Sequence, residues 1–113
     1  MFAEWHLSGA VHGDLKWSNI LVQKSGKELN FFLVDLDQTK LYQLPNVKGI
    51  RKDLARFYRY GLELNAEAWV LKEFLPAYSW SIPARLKDEI DFAFIEAKAK
   101  ADWEKKGRRS LVS

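Results

Sequence analysis

The sequence predicts an α+β fold, a short β-hairpin followed by helices. Three observations carry that expectation: β-type apolar runs are confined to residues 10–34, apolar spacing of three and four residues takes over beyond Gly49, and 48% of the 113 residues are apolar, enough for a core.

Met1 to Ser8 reads as the end of a helix whose earlier turns are absent, with Phe2, Trp5 and Leu7 as its apolar contacts. Ala10-Val11 and Ile20-Leu21-Val22 are β-type runs on either side of a polar loop, and Ser25 to Glu28 is a turn before the apolar run Phe31 to Val34. This is the pattern of a small hairpin carrying a loop at its mouth. Thr39 to Gly49 shows no period, and Pro45-Asn46 with Gly49 marks an irregular connection. Ile50, Leu54, Phe57, Tyr58 and Leu62 then predict a helix with Gly61 near its end.

Asn65 is expected to be the N-cap of a second helix, Ala66 to Tyr78, which carries Trp69, Val70, Glu73, Phe74 and Ala77 and is weakened near its end by Pro76. The aromatic residues Trp69, Phe74, Tyr78 and Trp80 are expected to pack the helices. Ser81 with Pro83 opens a third helix, in which Leu86, Ile90, Phe94, Ala97 and Ala101 form one side and Gly107 follows the last turn. The whole chain, 1–113, reads as one unit, with chemistry in 10–38 and helices in 50–107.

With no cysteine, disulfides, thiolate metal sites and thiol catalysis are excluded, and two histidines without partner spacing argue against zinc. The absence of cysteine fits a reducing, cytoplasmic setting; the start has no basic segment leading into an apolar run, and no apolar stretch is long enough to span a bilayer. The formal charge of +3 owes much to Lys105, Lys106, Arg108 and Arg109. That cluster is either a solvated helix end complementing the dipole or a contact for an anionic surface. Nucleic-acid binding is not expected, because aromatic residues do not interleave with these cations on a strand platform.

The segment His12-Gly13-Asp14-Leu15-Lys16-Trp17-Ser18-Asn19-Ile20-Leu21-Val22 is the informative one. It resembles the catalytic loop of the protein-kinase superfamily, H-x-D-L-x-x-x-N followed by an apolar strand. Asp14 and Asn19 are separated so that one side chain can face an acceptor hydroxyl and the other a metal, the division of tasks that phosphoryl transfer needs. The resemblance implies that Asp14 orients the hydroxyl proton, Asn19 offers Mg²⁺ a neutral oxygen, and Lys16 offsets charge on the transferred phosphate. It implies a bracing role for His12. Leu33-Val34-Asp35-Leu36-Asp37 is an apolar strand ending in two acids. Asp35 matches the metal-binding aspartate of D-F-G. Asp37 stands where the glycine would be, as a second metal contact or as the partner of an arginine.

His-Gly-Asp in place of His-Arg-Asp resembles small-molecule phosphotransferases. Together with Lys16, Trp17 to Leu21, the D-x-D and Arg51-Lys52-Asp53-Leu54-Ala55-Arg56-Phe57, it looks most like the lipopolysaccharide kinases, which phosphorylate Kdo or heptose of the inner core. The likeness runs from about Trp5 to Tyr60. It implies a protein-kinase-like C-lobe, ATP and Mg²⁺ as cofactors, a lipopolysaccharide core glycolipid as acceptor, and peripheral contact with the cytoplasmic face of a Gram-negative inner membrane. Arg51, Lys52, Arg56 and Arg59 form either a solvated basic face or a supply of cations for the acids of the site or for the glycolipid.

A glycine-rich lid and a β3 lysine should precede the loop, and neither is present in the eleven residues before His12. The ATP-gripping N-lobe is therefore expected from a missing segment or a partner chain, with little or no turnover by this chain alone. A non-catalytic remnant or binding module is the alternative. An aminoglycoside-type phosphotransferase is a further one, against which Lys16 and Asp37 count.

Overall fold

The computed structural model describes residues 2–107, with the side chain of Leu29 left aside. Arg108 and Arg109 of the basic tail lie outside the described residues. Small antiparallel sheets come first and helices follow, as the α+β pattern predicts.

Helix α1 (Phe2–Leu7) buries Phe2, Ala3 and His6, while Trp5 and Leu7 are half-buried. The short strand β1 (Ala10–Val11) leads into the polar loop and a 3-10 turn, Trp17–Asn19. Strands β2 (Ile20–Ser25) and β3 (Glu28–Leu33) then form the hairpin, in register from Ile20↔Leu33 to Ser25↔Glu28. Its two-residue loop has a positive φ at Gly26 (62°) and not at Lys27. That is the pattern of a II′ turn, whose twist suits a hairpin. Contrary to expectation, β1 takes no part in this hairpin. It pairs with β4 (Lys40–Leu41), inside the stretch expected to be irregular. A strand of two residues is too short to leave an alternation that sequence can show.

Helix α2 (Val47–Glu63) buries Ile50, Leu54, Phe57, Tyr58 and Leu62, the predicted stripe, together with Asp53, Arg59 and Glu63. Its N-cap is Asn46, whose side chain accepts the Gly49 N–H at 2.7 Å, so the helix begins earlier than Ile50. Asn65 is not an N-cap. With φ at 60°, it closes α2: its N–H donates to Leu62 O and that of Ala66 to Gly61 O, the two bonds of a Schellman motif with Asn in the left-handed position usually given to Gly. Gly61 lies inside the helix because a Cβ there would stand 2.8 Å from Val70 Cγ2.

The second helical stretch is broken into α3 (Glu67–Trp69), a π-helical turn Val70–Phe74 and α4 (Leu75–Trp80). Pro76 acts in the middle of this stretch rather than at its end. Lacking an N–H, it cannot close an α turn onto Lys72, and the Leu75 N–H reaches back to Val70 O instead. The wide turn brings residues five apart into line, so the rings of Trp69 and Phe74 meet at 5.8 Å. Trp80, expected to pack, is 88% exposed.

Helices α5 (Ala84–Ile90) and α6 (Phe92–Lys105) are separate, because Asp91 adopts a left-handed φ of 57° and caps α6 by accepting from Phe94 N. That break resets the helical phase. Beyond Leu86 and Ile90 the buried positions are Ile95 and Ala99, and the expected Phe94, Ala97 and Ala101 are exposed. Gly107, with φ at 70°, follows the last turn as predicted.

Candidate active site

The polar loop between Val11 and Ile20 stands on α2. Gly49, Asp53, Arg56 and Phe57 lie four, three and one residues apart, which sets them on one face of a helix. A Cβ on Gly49 would overlap the Val11 side chain, so glycine permits the close approach. Asp53, 1% exposed, receives the His12 N–H on Oδ2 at 2.8 Å and the Gly13 N–H on Oδ1 at 2.9 Å. Trp17 Nε1 donates to Phe57 O at 3.0 Å, and Leu15 is buried in the core below.

His12 is fully buried and bridges the loop to the hairpin. Its Nε2 donates to Val34 O at 2.9 Å, and its Nδ1 accepts from Asp14 N at 3.1 Å, the pairing of one tautomer. Both ring nitrogens are thereby engaged. Val34 N donates to Asn19 O, which ties the end of β3 to the end of the loop and carries Asp35 next to it. Gly13 (φ 88°) comes so near the 3-10 turn Leu36–Gln38 that a Cβ would be 2.8 Å from Gln38 O.

Asp14 is half-buried. Arg56 Nη1 donates to its Oδ1 at 2.8 Å and Lys16 Nζ is 3.6 Å from its Oδ2. One carboxylate is thus held between two cations, one from its own loop and one from α2. Asn19 is buried, and its Nδ2 donates to Asp14 O at 2.9 Å, which turns Oδ1 away from that bond. Asp35 is exposed, with the left-handed φ of 58° that Asp tolerates, and immediately precedes the 3-10 turn in which Asp37, also exposed, lies. Among the described residues neither Asp35 nor Asp37 has a hydrogen bond or ion pair, so Asp37 has no arginine partner there. No group of three or more His, Asp or Glu side chains converges among the described residues.

The lipopolysaccharide kinase (Kdo/WaaP) family matches residues 1–78. The chain belongs to this family. A search of curated proteins returned no match. Among solved structures, WaaP in complex with acyl carrier protein is similar over 93% of this chain with a TM-score of 0.67 and 22% identity, a likeness of fold. The chain spans only 44% of that WaaP.

Within this Kdo/WaaP chain, Asp53 and His6 were not singled out from sequence. His6 is 1% exposed and lies 2.9 Å from Asp53 Oδ2 through Nε2 and 2.6 Å from Tyr78 Oη through Nδ1. The spacing Gly49, Asp53, Arg56, Phe57 was the available signal: an acid on the apolar side of an amphipathic helix is rarely buried without donors waiting for it.

An aromatic groove of about 440 Å³ lies on the other side of Trp17, walled by Phe2, Phe57, Trp69, Phe74 and Tyr78. Ile20, Val22 and Phe31 from one face of the hairpin complete it. Leu21 and Phe32, opposite one another in the register, belong to the other face and are 53% and 49% exposed. Among the described residues, no helix is long and apolar enough to cross a membrane.

Proposed function

We propose that this chain is the C-lobe half of a Mg-ATP-dependent phosphotransferase whose acceptor is a sugar hydroxyl of the lipopolysaccharide inner core, Kdo or heptose. The observation that carries the reading is the Asp14 carboxylate, held by Lys16 and Arg56 on a loop bonded to Asn19 at one end and to the Asp35 strand beyond it.

In this reading Asp14 is the catalytic residue that receives the proton of the acceptor hydroxyl at a carboxylate oxygen. Arg56 fixes the orientation of that carboxylate, and Lys16 can turn from it to an incoming phosphate. The oxygens suited to a magnesium ion are Asn19 Oδ1, the Asp35 carboxylate and, as a further contact, the Asp37 carboxylate. They are hard donors with no partner among the described residues to displace, the set Mg²⁺ prefers. Leu21 and Phe32 offer an apolar floor for a purine ring. Magnesium-ATP, when bound, supplies the phosphoryl group and offsets its charge. The lid and lysine over the phosphates would come from an N-lobe outside this chain, and the acceptor lipid places the work at the cytoplasmic face of the inner membrane. An acyl carrier protein is a candidate partner by likeness to the WaaP complex, and the aromatic groove is the surface of this chain fitted to an apolar group.

The test is phosphotransfer from Mg-ATP to a purified lipopolysaccharide core acceptor, with the complete protein or with an N-lobe supplied. Asp14→Ala should lower the rate at least a hundredfold, on the order expected for a lost acid-base group. Unchanged activity in that variant would defeat the proposal. Phosphate appearing on an aminocyclitol instead would favour the small-molecule branch, and a complete protein that transfers to neither would leave a binding module.

A further inference from the structure

Tyr78 lies on α4, and its hydroxyl is 2.6 Å from His6 Nδ1. His6 Nε2 in turn reaches Asp53 Oδ2, the oxygen that also receives the His12 N–H. A carboxylate can only accept, so Nε2 carries a proton, and in the neutral ring Nδ1 is the acceptor and the tyrosine the donor. Burial, reinforced by the Asp53 charge, pushes the Tyr78 phenol well above its ordinary range, which keeps the O–H in place as that donor. His6 and Tyr78 are 1% and 4% exposed, so water does not compete for these bonds.

We propose that Tyr78 is a positioning residue: through His6 and Asp53 it holds the backbone of His12 and Gly13, and with it Asp14. Asp53 requires the proton on Nε2, and the tyrosine O–H, bonded to Nδ1, fixes the plane in which the ring presents that proton. Without that donor the ring is free to turn, and Nε2–H no longer steadies the Asp53 carboxylate that receives the two loop amides. The π turn at Val70–Phe74 is the device that supplies this contact, since its extra residue sets the phase of α4 and hence the direction of Tyr78.

The bearing on catalysis rests on the phosphotransfer reading, but the tether is measurable whether or not phosphate moves. In the full chain, ¹⁵N spectra of the His6 ring should show the Nε2–H tautomer in the wild type, and in Tyr78→Phe the same tautomer with its Nε2–H proton exchanging faster with water as the ring loosens. Amide exchange at His12 and Gly13 should then quicken about fivefold, the size of one lost hydrogen bond, while Leu54 and Phe57 on the same helix keep their rates. Added to His6→Leu, the Tyr78→Phe change should have no further effect on those two amides. Wild-type exchange at His12 and Gly13 in Tyr78→Phe, equal quickening along all of α2, or additive effects in the double variant would overturn the proposal. Should Tyr78→Phe not fold, an Nδ1–H tautomer of His6 in the wild type would overturn it by itself.

Discussion

Replacing Asp53 by Ala strands three donors at once: the His12 and Gly13 N–H groups and His6 Nε2. Each buried donor left without an acceptor costs about 1 to 3 kcal/mol. Water admitted to the space left by the carboxylate recovers part of this, which gives a net loss of about 4 kcal/mol, near the upper end for a single substitution. Asp53→Asn separates the contributions. Its one oxygen, placed at the Oδ2 position, still serves His12 and His6, but its NH₂ then faces the Gly13 N–H, and a single mismatched pair costs about 2 kcal/mol. Urea unfolding of both variants measures these losses as shifts of midpoint at constant m-value, with Asp88→Asn, an exposed acid, as a control expected within about 0.5 kcal/mol of wild type. A loss of less than about 1 kcal/mol in Asp53→Ala, or equal losses for Asn and Ala, would refute the assignment of Asp53 as the acceptor that anchors the loop.

Gly13→Ala should cost about 2 kcal/mol, combining a left-handed φ with the approach to Gln38 O, whereas Gly26→Ala, left-handed but with open space around it, should cost about 1 kcal/mol; thermal unfolding compares them. Asn46→Ala removes the cap of α2 and should cost about 1 kcal/mol in the same assay, with Asn46→Ser recovering most of it. Alkaline pH should destabilise the protein. The folded-state pKa values of Tyr78 and Tyr58 are raised, by burial first and then by Asp53 for Tyr78 and by Glu67 and Glu96 for Tyr58. The unfolded chain therefore releases these protons first, and the stability they contribute is intact below the ordinary tyrosine value of 10.0 and lost as pH rises above it. Urea midpoints at pH 8, 9.5 and 11 measure the fall, and Tyr78→Phe should flatten it.

What was legible in the sequence was local and periodic. The hairpin announced itself by apolar runs around Ser25 to Glu28, and the α2 stripe by Ile50, Leu54, Phe57, Tyr58 and Leu62. What was illegible depended on single residues whose conformation has two readings. Asn65 and Asn46 are the same residue type beside the same helix. Only the tertiary path decides that Asn46 caps its start by a side-chain bond while Asn65 closes its end in a left-handed conformation. Asp91 likewise interrupts a stripe that composition alone would continue through Phe94. In the site, motif spacing singled out Asp14, Lys16, Asn19, Asp35 and Asp37, because a loop's chemistry lies in consecutive residues. It passed over Asp53, His6 and Tyr78, whose association is across 47 and 72 residues of chain.

The loop's supports follow from the weakness of the strands beside it. β1 and β4 pair over only two residues each, and the hairpin side meets the loop through the single residue Val34, at His12 and at Asn19, so neither can hold a polar loop against solvent. Helix α2 does this instead, because the loop runs along one of its faces. Gly49 admits Val11, Asp53 receives His12 and Gly13, Arg56 takes Asp14, and the Phe57 carbonyl takes Trp17. Four helix positions thus meet the loop in chain order. A helix buried on its other side by Ile50, Leu54, Tyr58 and Leu62 cannot slide without repacking the core. The position of the Asp14 carboxylate is therefore set by the packing of α2, and core substitutions such as Leu54→Ala should shift the Arg56 to Asp14 contact as well as lower stability.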